Sequence, residues 1–366
     1  MDEIRIVPLH GIPEVEPRHD LARLLHTALN DAGLSLQDGD VLVISSKIVS
    51  KANGLREFPD SADPAQRDAL VRANARAIVA ERSTPTGVTR IVASTSGPVL
   101  AAAGVDDSNV GPAGGSLVLP ADPDLAARSV YAALLVTHAP SPLPRIGVVI
   151  SDTAGRPWRH GQVDFALGTC GLAVLEDLGA SRALDADGRE LRVTARAIAD
   201  EIAAAADLVK GKTFGVPAAL VRGLPTTMVG HPGEQGAASL VRTGAGDWFA
   251  LGSVESVRAS LGAPPGSMAA EQVGIAFALP EPRQARLQRV VDLALLRVPA
   301  LIAPEGVEVT ESGLSVSVRN AYQRGYAVAR LETALHSEGL AGCEIAVLSD
   351  PEDAVSVPSE GHAVAD

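Results

Sequence analysis

Ile146-Gly147-Val148-Val149-Ile150-Ser151-Asp152-Thr153-Ala154-Gly155-Arg156 is a stretch in which an apolar run rich in β-branched residues ends in hydroxyls and charges. The same change occurs in Gly39-Asp40-Val41-Leu42-Val43-Ile44-Ser45-Ser46-Lys47-Ile48-Val49-Ser50-Lys51. A short continuous apolar run predicts a strand buried on both faces, and polar groups that directly follow it are expected in a cleft. The two stretches therefore predict buried strands that end at a functional site.

The polar groups after the two strands differ in charge. Lys47 and Lys51, beside Ser46, suit the oxygens of phosphate groups. Asp152 beside Thr153 suits a hard divalent cation such as Mg²⁺ or Mn²⁺. A carboxylate that follows a buried strand must be paired, hydrogen-bonded or bound to a metal. The combination predicts a site for a metal and a nucleotide.

Composition limits the class of protein. With 366 residues the chain is expected to form about two domains. Its 31 basic and 44 acidic residues give a net charge of −13, which disfavours a nucleic-acid partner. The two cysteines are far apart and belong to no C-x-x-C pair, which favours a reducing cytoplasm. The sequence shows no signal segment and no apolar run of about 18 residues, so we expect a soluble protein without a membrane partner.

The first 250 residues alternate between predicted strands and helices. The strands are 4–7, 90–94, 99–103, 116–119, 146–150 and 216–221, and the helices are 21–32, 64–80, 122–137 and a helix capped by Thr194 that ends at Gly211. A linker is predicted at 262–266, followed by a helix over 283–297, a hairpin of 307–309 with 314–318, and a helix over 320–336. The last residues are acidic and are expected to be disordered.

Several candidates also have a plainer interpretation. Lys47 and Lys51 fit a solvated pair one turn apart at a helix start or on a hairpin edge. Asp106 fits a turn carboxylate in an Asx-type loop with Asn109. Arg156 suits either an anionic substrate or the exposed face of a loop. These alternatives stay open at this stage.

Two further candidates lie later in the chain. Lys210 and Lys212 are suitably charged for a polyphosphate, but they could merely complement the C-terminus of a helix. Cys170 is expected to be a small core residue rather than a nucleophile, because the sequence offers it no partner histidine.

Common catalytic motifs are missing from the sequence. Gly211-Lys212-Thr213 resembles the end of a phosphate-binding P-loop, but Ala206 stands where the required first glycine would be. The chain contains no G-x-G-x-x-G, G-x-S-x-G or H-E-x-x-H motif. Any nucleotide is therefore expected to be held in an uncommon way.

Several sequence blocks, in this order, resemble the coenzyme F420-0:L-glutamate ligase family over residues 1 to about 258. The blocks are Gly11 to Glu14, Asp38 to Asp40, Ser46 to Lys51, Ala103 to Asp106 with Ser108 and Asn109, Ser151 to Thr153 with Gly155 and Arg156, Asp200 to Lys212, and Val221 to Pro225. A series of blocks in one order is more specific than any single motif. The chain is similar to actinobacterial members, with a shorter C-terminal region.

The resemblance implies an α+β class fold, a two-lobed mixed-sheet γ-glutamyl ligase, that forms a homodimer. It implies GTP as co-substrate, Mg²⁺ or Mn²⁺ as cofactor and, as a further candidate, K⁺. F420-0 and L-glutamate are the other implied substrates. The residues implied to bind GTP are Ile12, Pro13, Glu14, Val15, Ser46, Lys51, Asn109, Lys210, Gly211 and Lys212. Those implied to hold metal are Asp106, Asp152 and Thr153, and the expected catalytic residues are Asp152, Lys51 and Arg156.

Similar enzymes transfer the γ-phosphoryl group of GTP to the terminal carboxylate of the substrate, and the glutamate amine then attacks the acyl phosphate. This chemistry needs no protein nucleophile. The alternatives are another phosphotransferase or hydrolase that uses a metal and a nucleotide, or a non-catalytic deazaflavin-binding protein.

The sequence departs from the family in two places. Ser96 precedes Gly97 where many relatives have a histidine, which leaves a substrate or nucleotide contact there in question. The C-terminal region is too short for the flavin domain that is fused to some relatives. We therefore expect a ligase domain over 1–258, a small α+β accessory region over 259–350 with an interaction or dimer-supporting role, and an acidic tail over 351–366.

Overall fold

The structure, a computed structural model, describes residues 3–60, 62–138, 143–192, 194–229, 235–243, 247–296, 298, 306–317 and 321–348. Its strands are β1 (Arg5–Pro8), β2 (Val41–Ser45), β3 (Arg56–Glu57), β4 (Ala75–Thr84), β5 (Gly87–Ser94), β6 (Val99–Ala101), β7 (Ser116–Leu117), β8 (Gly147–Arg156), β9 (Arg159–Cys170), β10 (Glu176–Asp177), β11 (Ala195–Arg196), β12 (Ala218–Arg222), β13 (Val307–Val309), β14 (Leu314–Val316) and β15 (Ile345–Val347). Its helices are α1 (Leu21–Asp31), α2 (Ser46–Ala52), α3 (Pro64–Ala73), α4 (Pro123–His138), α5 (Ile198–Lys210), α6 (Ser253–Ser260), α7 (Met268–Val273), α8 (Arg283–Leu295) and α9 (Ala321–Ser337), with 3₁₀ turns at Ala102–Gly104, Thr226–Met228 and Ala237–Leu240.

Contacts divide the chain into two units. The first contains residues 1–77 and 90–248, and the second contains 78–89 and 249–366. This division differs from the predicted domain boundary at residue 258, and it assigns a segment from the middle of the first unit's sequence to the second. The predicted tail at 351–366 lies outside the described residues.

A mixed sheet with the strand order β1-β12-β2-β8-β9 forms the centre of the first unit. Strands β2 and β8 are parallel, whereas the other neighbouring pairs are antiparallel. Side chains alternate along β2, so Leu42 and Ile44 join the cluster that contains α1 and α4 residues. Val41 and Val43 join the cluster that contains α5 residues. The predicted buried strand is confirmed, and helices cover both faces of the sheet.

The second unit has its own core. The antiparallel hairpin β13-β14 is extended by β15, which runs parallel to β14. A buried cluster that includes Leu287 of α8, Val316 of β14 and Leu331 of α9 joins the sheet to the helices. Ala263, in the predicted linker 262–266, is also a member of this buried cluster, so the linker is packed within the unit. The predicted hairpin is confirmed for 307–309 and 314–316, whereas residue 318 of the predicted strand lies outside the described residues.

Several predicted elements begin or end at other residues in the structure. The predicted helix over 64–80 ends at Ala73, where the Asn74 side chain donates a 2.9 Å hydrogen bond to the Leu70 carbonyl, and β4 follows. The expected cap Thr194 precedes the short strand β11 instead, and α5 begins later without a side-chain cap. The predicted strand 99–103 ends at Ala101 because Ala102 and Ala103 have positive φ angles.

Strand β8 continues past Ile150 to Arg156, beyond its predicted end. The reason is β9, which pairs with β8 from Val148 to Arg156, with shifts of register between Ile150 and Ser151 and between Gly155 and Arg156. Asp152 therefore lies within a strand rather than in a loop after it. Within the described ranges, no helix is long and apolar enough to span a bilayer.

Candidate functional site

The ends of β1 and β2, the start of β12 and the middle of β8 lie at one edge of the central sheet. Ser45 at the end of β2 pairs with Ser151 in the parallel strand β8. Strand β12 is antiparallel to β2 and pairs Ala218 with Ile44, so the segment before β12 reaches the same edge. Leu9, after β1, donates a backbone hydrogen bond of 3.0 Å to the Ala218 carbonyl. The topology therefore brings four distant sequence blocks together.

A cavity of about 590 Å³ opens at this edge of the first unit. The predicted nucleotide residues that line it are Ile12, Pro13, Glu14, Val15, Lys51, Asn109, Lys210, Gly211 and Lys212. Ser46 instead lines a small neighbouring cavity with Asp106 and Asp152. Every residue predicted for GTP thus lies in one of two cavities, and Lys47 and Asp152 line both of them.

Both lysines of the second sequence stretch lie on α2. Ser45 caps this helix with its side chain, and the first turn follows directly from β2. Lys51 is only 5% exposed, and its Nζ lies 2.6 Å from Glu14 Oε1. Lys47 is 14% exposed, and its Nζ lies 2.8 Å from Asp106 Oδ2. The interpretation of a solvated lysine pair is therefore wrong, although the helix start is confirmed.

Asp106 is held from both sides. Its Oδ1 accepts hydrogen bonds of 2.7 Å from both the backbone N and the Oγ of Ser108, while Lys47 pairs with the other oxygen. The Asx-type turn is therefore present, with Ser108 rather than Asn109 as the donor. Burial raises the pKa of Asp106, but Lys47 and Ser108 lower it by more, so the pKa lies below its usual range. Asp106 thus stays ionised at neutral pH.

Asp152 has the opposite electrostatic balance. Its pKa is raised to about 6; burial is the largest cause, and the hydrogen bonds from Ser46 and the Thr153 backbone oppose it. The charges of Asp164 and Asp106 contribute to the same rise. Ser46 Oγ donates to Asp152 Oδ1 over 3.1 Å. Two carboxylates that repel each other across a small cavity have the charge expected at a cation site.

The donor set fits a hard divalent cation. Among the residues that the structure describes, no group of three or more His, Cys, Asp and Glu side chains could hold a metal ion. Mg²⁺, however, usually takes one or two carboxylates and completes its shell with water and substrate phosphates. Asp106, Asp152 and the Thr153 hydroxyl are oxygen ligands of this kind, and they lie beside the larger cavity.

The sequence analysis missed Asp164. This residue lies opposite Thr153 in the β8-β9 pair and lines the larger cavity. Its carboxylate is 4% exposed and forms an ion pair of 2.7 Å with the equally buried Lys210. Burial raises the pKa of Asp164, but Lys210, Thr153 and Ser151 lower it by more. An acid between Val163 and Phe165 in an alternating strand gives no signal in the sequence that would separate it from a solvent-facing residue.

Two predicted residues have other surroundings. Arg156 is exposed, its Nη2 donates to the His160 carbonyl over 3.4 Å, and it is not among the residues that line the two cavities. Its catalytic role stays a prediction, as does the homodimer.

Cys170 is buried in the core beside α4, and burial raises the pKa of its thiol, so it is a core residue as expected. Ser96 lines a separate cavity of about 280 Å³ with Asp200.

Comparison with known proteins gives consistent matches over the first unit. The sequence model of a family described as "F420-0:Gamma-glutamyl ligase" matches residues 11–223. Coenzyme F420:L-glutamate ligase of Methanothermobacter thermautotrophicus is 40% identical over 233 residues, which is 61% of this chain and 90% of the relative. The enzymes of the same name from Haloarcula marismortui and Methanopyrus kandleri are 35% identical over 240 and 257 residues. These alignments cover 60% and 67% of this chain, and 87% and 97% of the two relatives. On this evidence the chain belongs to the F420-0:gamma-glutamyl ligase family.

Proposed function

We propose that this protein is a GTP-dependent ligase that joins L-glutamate to the terminal carboxylate of F420-0 through an acyl phosphate. The description of the family names F420-0, and the names of the relatives include L-glutamate. The observation that supports binding of GTP and metal is that two cavities lie next to each other and share lining residues. One is lined by lysines, and the other contains Asp106 and Asp152.

The lysines would bind and orient the triphosphate. Lys51 Nζ donates one hydrogen bond to Glu14 among the described residues, which leaves N–H groups of the ammonium for phosphate oxygens. Lys212 lines the same cavity and contacts Thr153 there. Fixed ammonium groups stabilise charge that builds on the transferred phosphoryl group.

Asp106, Asp152 and Thr153 would hold the Mg²⁺ or Mn²⁺ ions. When bound, such ions neutralise the phosphates and polarise the transferred group. The protein's own contribution is to keep Asp106 ionised through Lys47 and Ser108 and to direct Ser46 toward Asp152. The proposed route requires no covalent intermediate on the protein. The buried Cys170, with its raised thiol pKa, is correspondingly not needed as a nucleophile.

The test is to incubate the full chain with F420-0, GTP, Mn²⁺ and L-glutamate and to analyse the products by mass spectrometry. We expect products heavier by one or more glutamate residues together with GDP. Asp152→Asn should lower the rate at least about 100-fold, because it removes a charged ligand beside the reacting phosphate. Asp187→Asn, an exposed turn carboxylate, is the matched control and should keep the wild-type rate.

The assay also separates the alternatives. GTP consumption that does not depend on glutamate would favour a phosphotransferase or hydrolase. Quenching of the deazaflavin fluorescence without any GTP consumption would favour a non-catalytic binding protein. Either result would overturn the proposed reaction.

A further inference from the structure

Asp164 lies at the centre of a buried polar cluster in the wall of the larger cavity. The cluster consists of Asp164, Ser151, Thr153 and Lys210. Ser151 is 1% exposed and Lys210 3% exposed. Asp164 Oδ2 accepts hydrogen bonds of 2.8 Å from Ser151 Oγ and 2.7 Å from Lys210 Nζ, and Oδ1 accepts one of 2.6 Å from Thr153 Oγ1. Both oxygens of this carboxylate therefore accept hydrogen bonds within the cluster.

Two ammonium groups fix the direction of the hydroxyl protons. An ammonium only donates hydrogen bonds, so a hydroxyl that contacts one must accept there. Lys212 Nζ contacts Thr153 Oγ1 from the cavity side, so the Thr153 proton must point away, toward Asp164. In the same way Lys210 donates to Ser151 Oγ over 2.7 Å, and the Ser151 proton also points to Asp164.

This arrangement determines whether Thr153 Oγ1 presents its proton or a lone pair to the cavity. Its single proton is used by Asp164, which leaves the two lone pairs of Oγ1 for acceptance. Lys212 contacts one of them, and among the described residues no second donor contacts the other. A hydroxyl oriented in this way is a ready ligand for a cation. A hydroxyl that was free to rotate would present its proton part of the time and would have to be reoriented first. Such outer partners of a ligand commonly change metal affinity 10–100-fold.

We propose that Asp164 is a positioning residue, which holds the Thr153 hydroxyl with its lone pair directed at the cation site. This inference rests on the proposed function, because it assumes that Asp152 and Thr153 bind a divalent ion. Lys210 has a supporting role in the same cluster, since its ammonium forms a buried ion pair of 2.7 Å with Asp164.

The experiment is a double-mutant cycle with Mn²⁺ alone as the probe and free Mn²⁺ measured by electron paramagnetic resonance. Asp164→Asn should raise the Kd for Mn²⁺ about tenfold in the wild-type background. In a Thr153→Val background the same change should have a clearly smaller effect, because the hydroxyl is gone and only the loss of the Asp164 charge near Asp152 remains. Thr153→Ser keeps the hydroxyl and should restore the sensitivity to Asp164→Asn.

Asp124→Asn is the matched control for a loss of structure. Asp124 also supports β9, since it accepts a 2.7 Å hydrogen bond from the Thr169 backbone, but it does not line the cavity. This variant should lower thermal stability and leave the Kd for Mn²⁺ unchanged. If Asp164→Asn does not fold, the pair Asp164→Asn with Lys210→Gln removes both buried charges together and enters the same cycle.

The outcomes are distinguishable. Equal effects of Asp164→Asn with and without the Thr153 hydroxyl would overturn the positioning role and leave the metal site intact. A wild-type protein that binds no Mn²⁺ would overturn both the metal site of the proposed function and the role of Asp164.

Discussion

Asp152 is electrostatically unfavourable as a carboxylate in the folded protein. Burial raises its pKa from 3.8 to about 6, and the charges of Asp164 and Asp106 contribute in the same direction. Ser46 and the Thr153 backbone offset only part of this effect. Functional sites often keep such groups at the expense of stability. The residue that the proposed reaction needs most is therefore one that weakens the fold at neutral pH.

The first prediction concerns the stability of Asp152→Asn. A raised pKa means that the folded state binds a proton more tightly than the unfolded state, so wild-type stability falls as the pH rises from about 4 to 6. The variant has no carboxyl group at residue 152 to ionise, so its stability should not fall in this pH range for that reason. At pH 7.5 it should be more stable than the wild type by about 1–2 kcal/mol, a value reduced for the partial exposure of the residue. Below pH 4 the difference should disappear.

Asp106→Asn supplies a control of opposite sign, measured by the same urea unfolding series. The pKa of Asp106 is lowered by Lys47 and Ser108, so its carboxylate stabilises the fold above the unfolded pKa of 3.8 and loses this effect in acid. This variant should be less stable than the wild type at pH 7.5. If both variants shifted stability in the same direction, the electrostatic account of the site would be wrong.

Single residues were predictable where an abrupt change of character marked them. Asp152 and Lys51 follow apolar runs, and both line the cavity. The exposure of Lys51 was not predictable, because its burial depends on Glu14, which lies 37 positions away in the sequence. Asp164 was not predictable either, because its partner Lys210 comes from α5, 46 positions later. Sequence patterns indicate which residues are polar, whereas tertiary contacts decide which of them are buried.

At the scale of elements, β8 and β9 determine where the site residues lie. The sequence predicts that β8 ends where its apolar run ends, but the paired strand β9 keeps the backbone extended to Arg156. Apolar content shows only where a strand is buried, and hydrogen bonding to a neighbour decides where it stops. The order of the helices α1, α4 and α5 was predicted because their apolar residues recur at helical spacing.

The second prediction tests the contact between α4 and β9. A Cβ atom added at Gly168 would lie 2.2 Å from the Pro123 carbonyl oxygen, which is backbone at the start of α4. Gly168→Ala should therefore push the helix away from the sheet and lower the free energy of unfolding by about 1–3 kcal/mol. Thermal unfolding followed by circular dichroism measures the change.

Gly155→Ala is the matched control for this prediction. Gly155 lies in the same hairpin, and an added Cβ atom would meet nothing within 4 Å. Its unfolding free energy should stay within about 0.5 kcal/mol of the wild type. Similar losses in the two variants would show that strand conformation, and not the contact with α4, explains the need for glycine at residue 168.

At the scale of the whole molecule, the second unit depends on a segment from the middle of the first unit's sequence. Residues 78–89 belong to the second unit. There the Val79 carbonyl accepts a 2.8 Å hydrogen bond from Gly252, and Ser83 pairs with Phe277. The sequence analysis missed the membership of residues 78–89 in the second unit because it predicted one helix over 64–80. The apolar residues Ile78 and Val79 fit helical spacing as well as they fit a strand. For this reason the sequence analysis predicted a single domain boundary near residue 258.

The last prediction follows from this arrangement. A chain that ends after Trp248 keeps residues 78–89 but loses their partners, among them Glu255, which accepts a 3.0 Å hydrogen bond from the Glu81 backbone. It should aggregate or unfold at a clearly lower temperature than the full chain, because backbone groups and apolar side chains of β4 become exposed. A chain that ends after Leu348 keeps these partners and should unfold at the wild-type temperature. Replacing residues 78–89 by a short Gly-Ser linker in the chain that ends at 248 should restore solubility and leave Mn²⁺ binding intact. If the unmodified chain 1–248 were as stable as 1–348, the contacts of residues 78–89 would contribute nothing to stability.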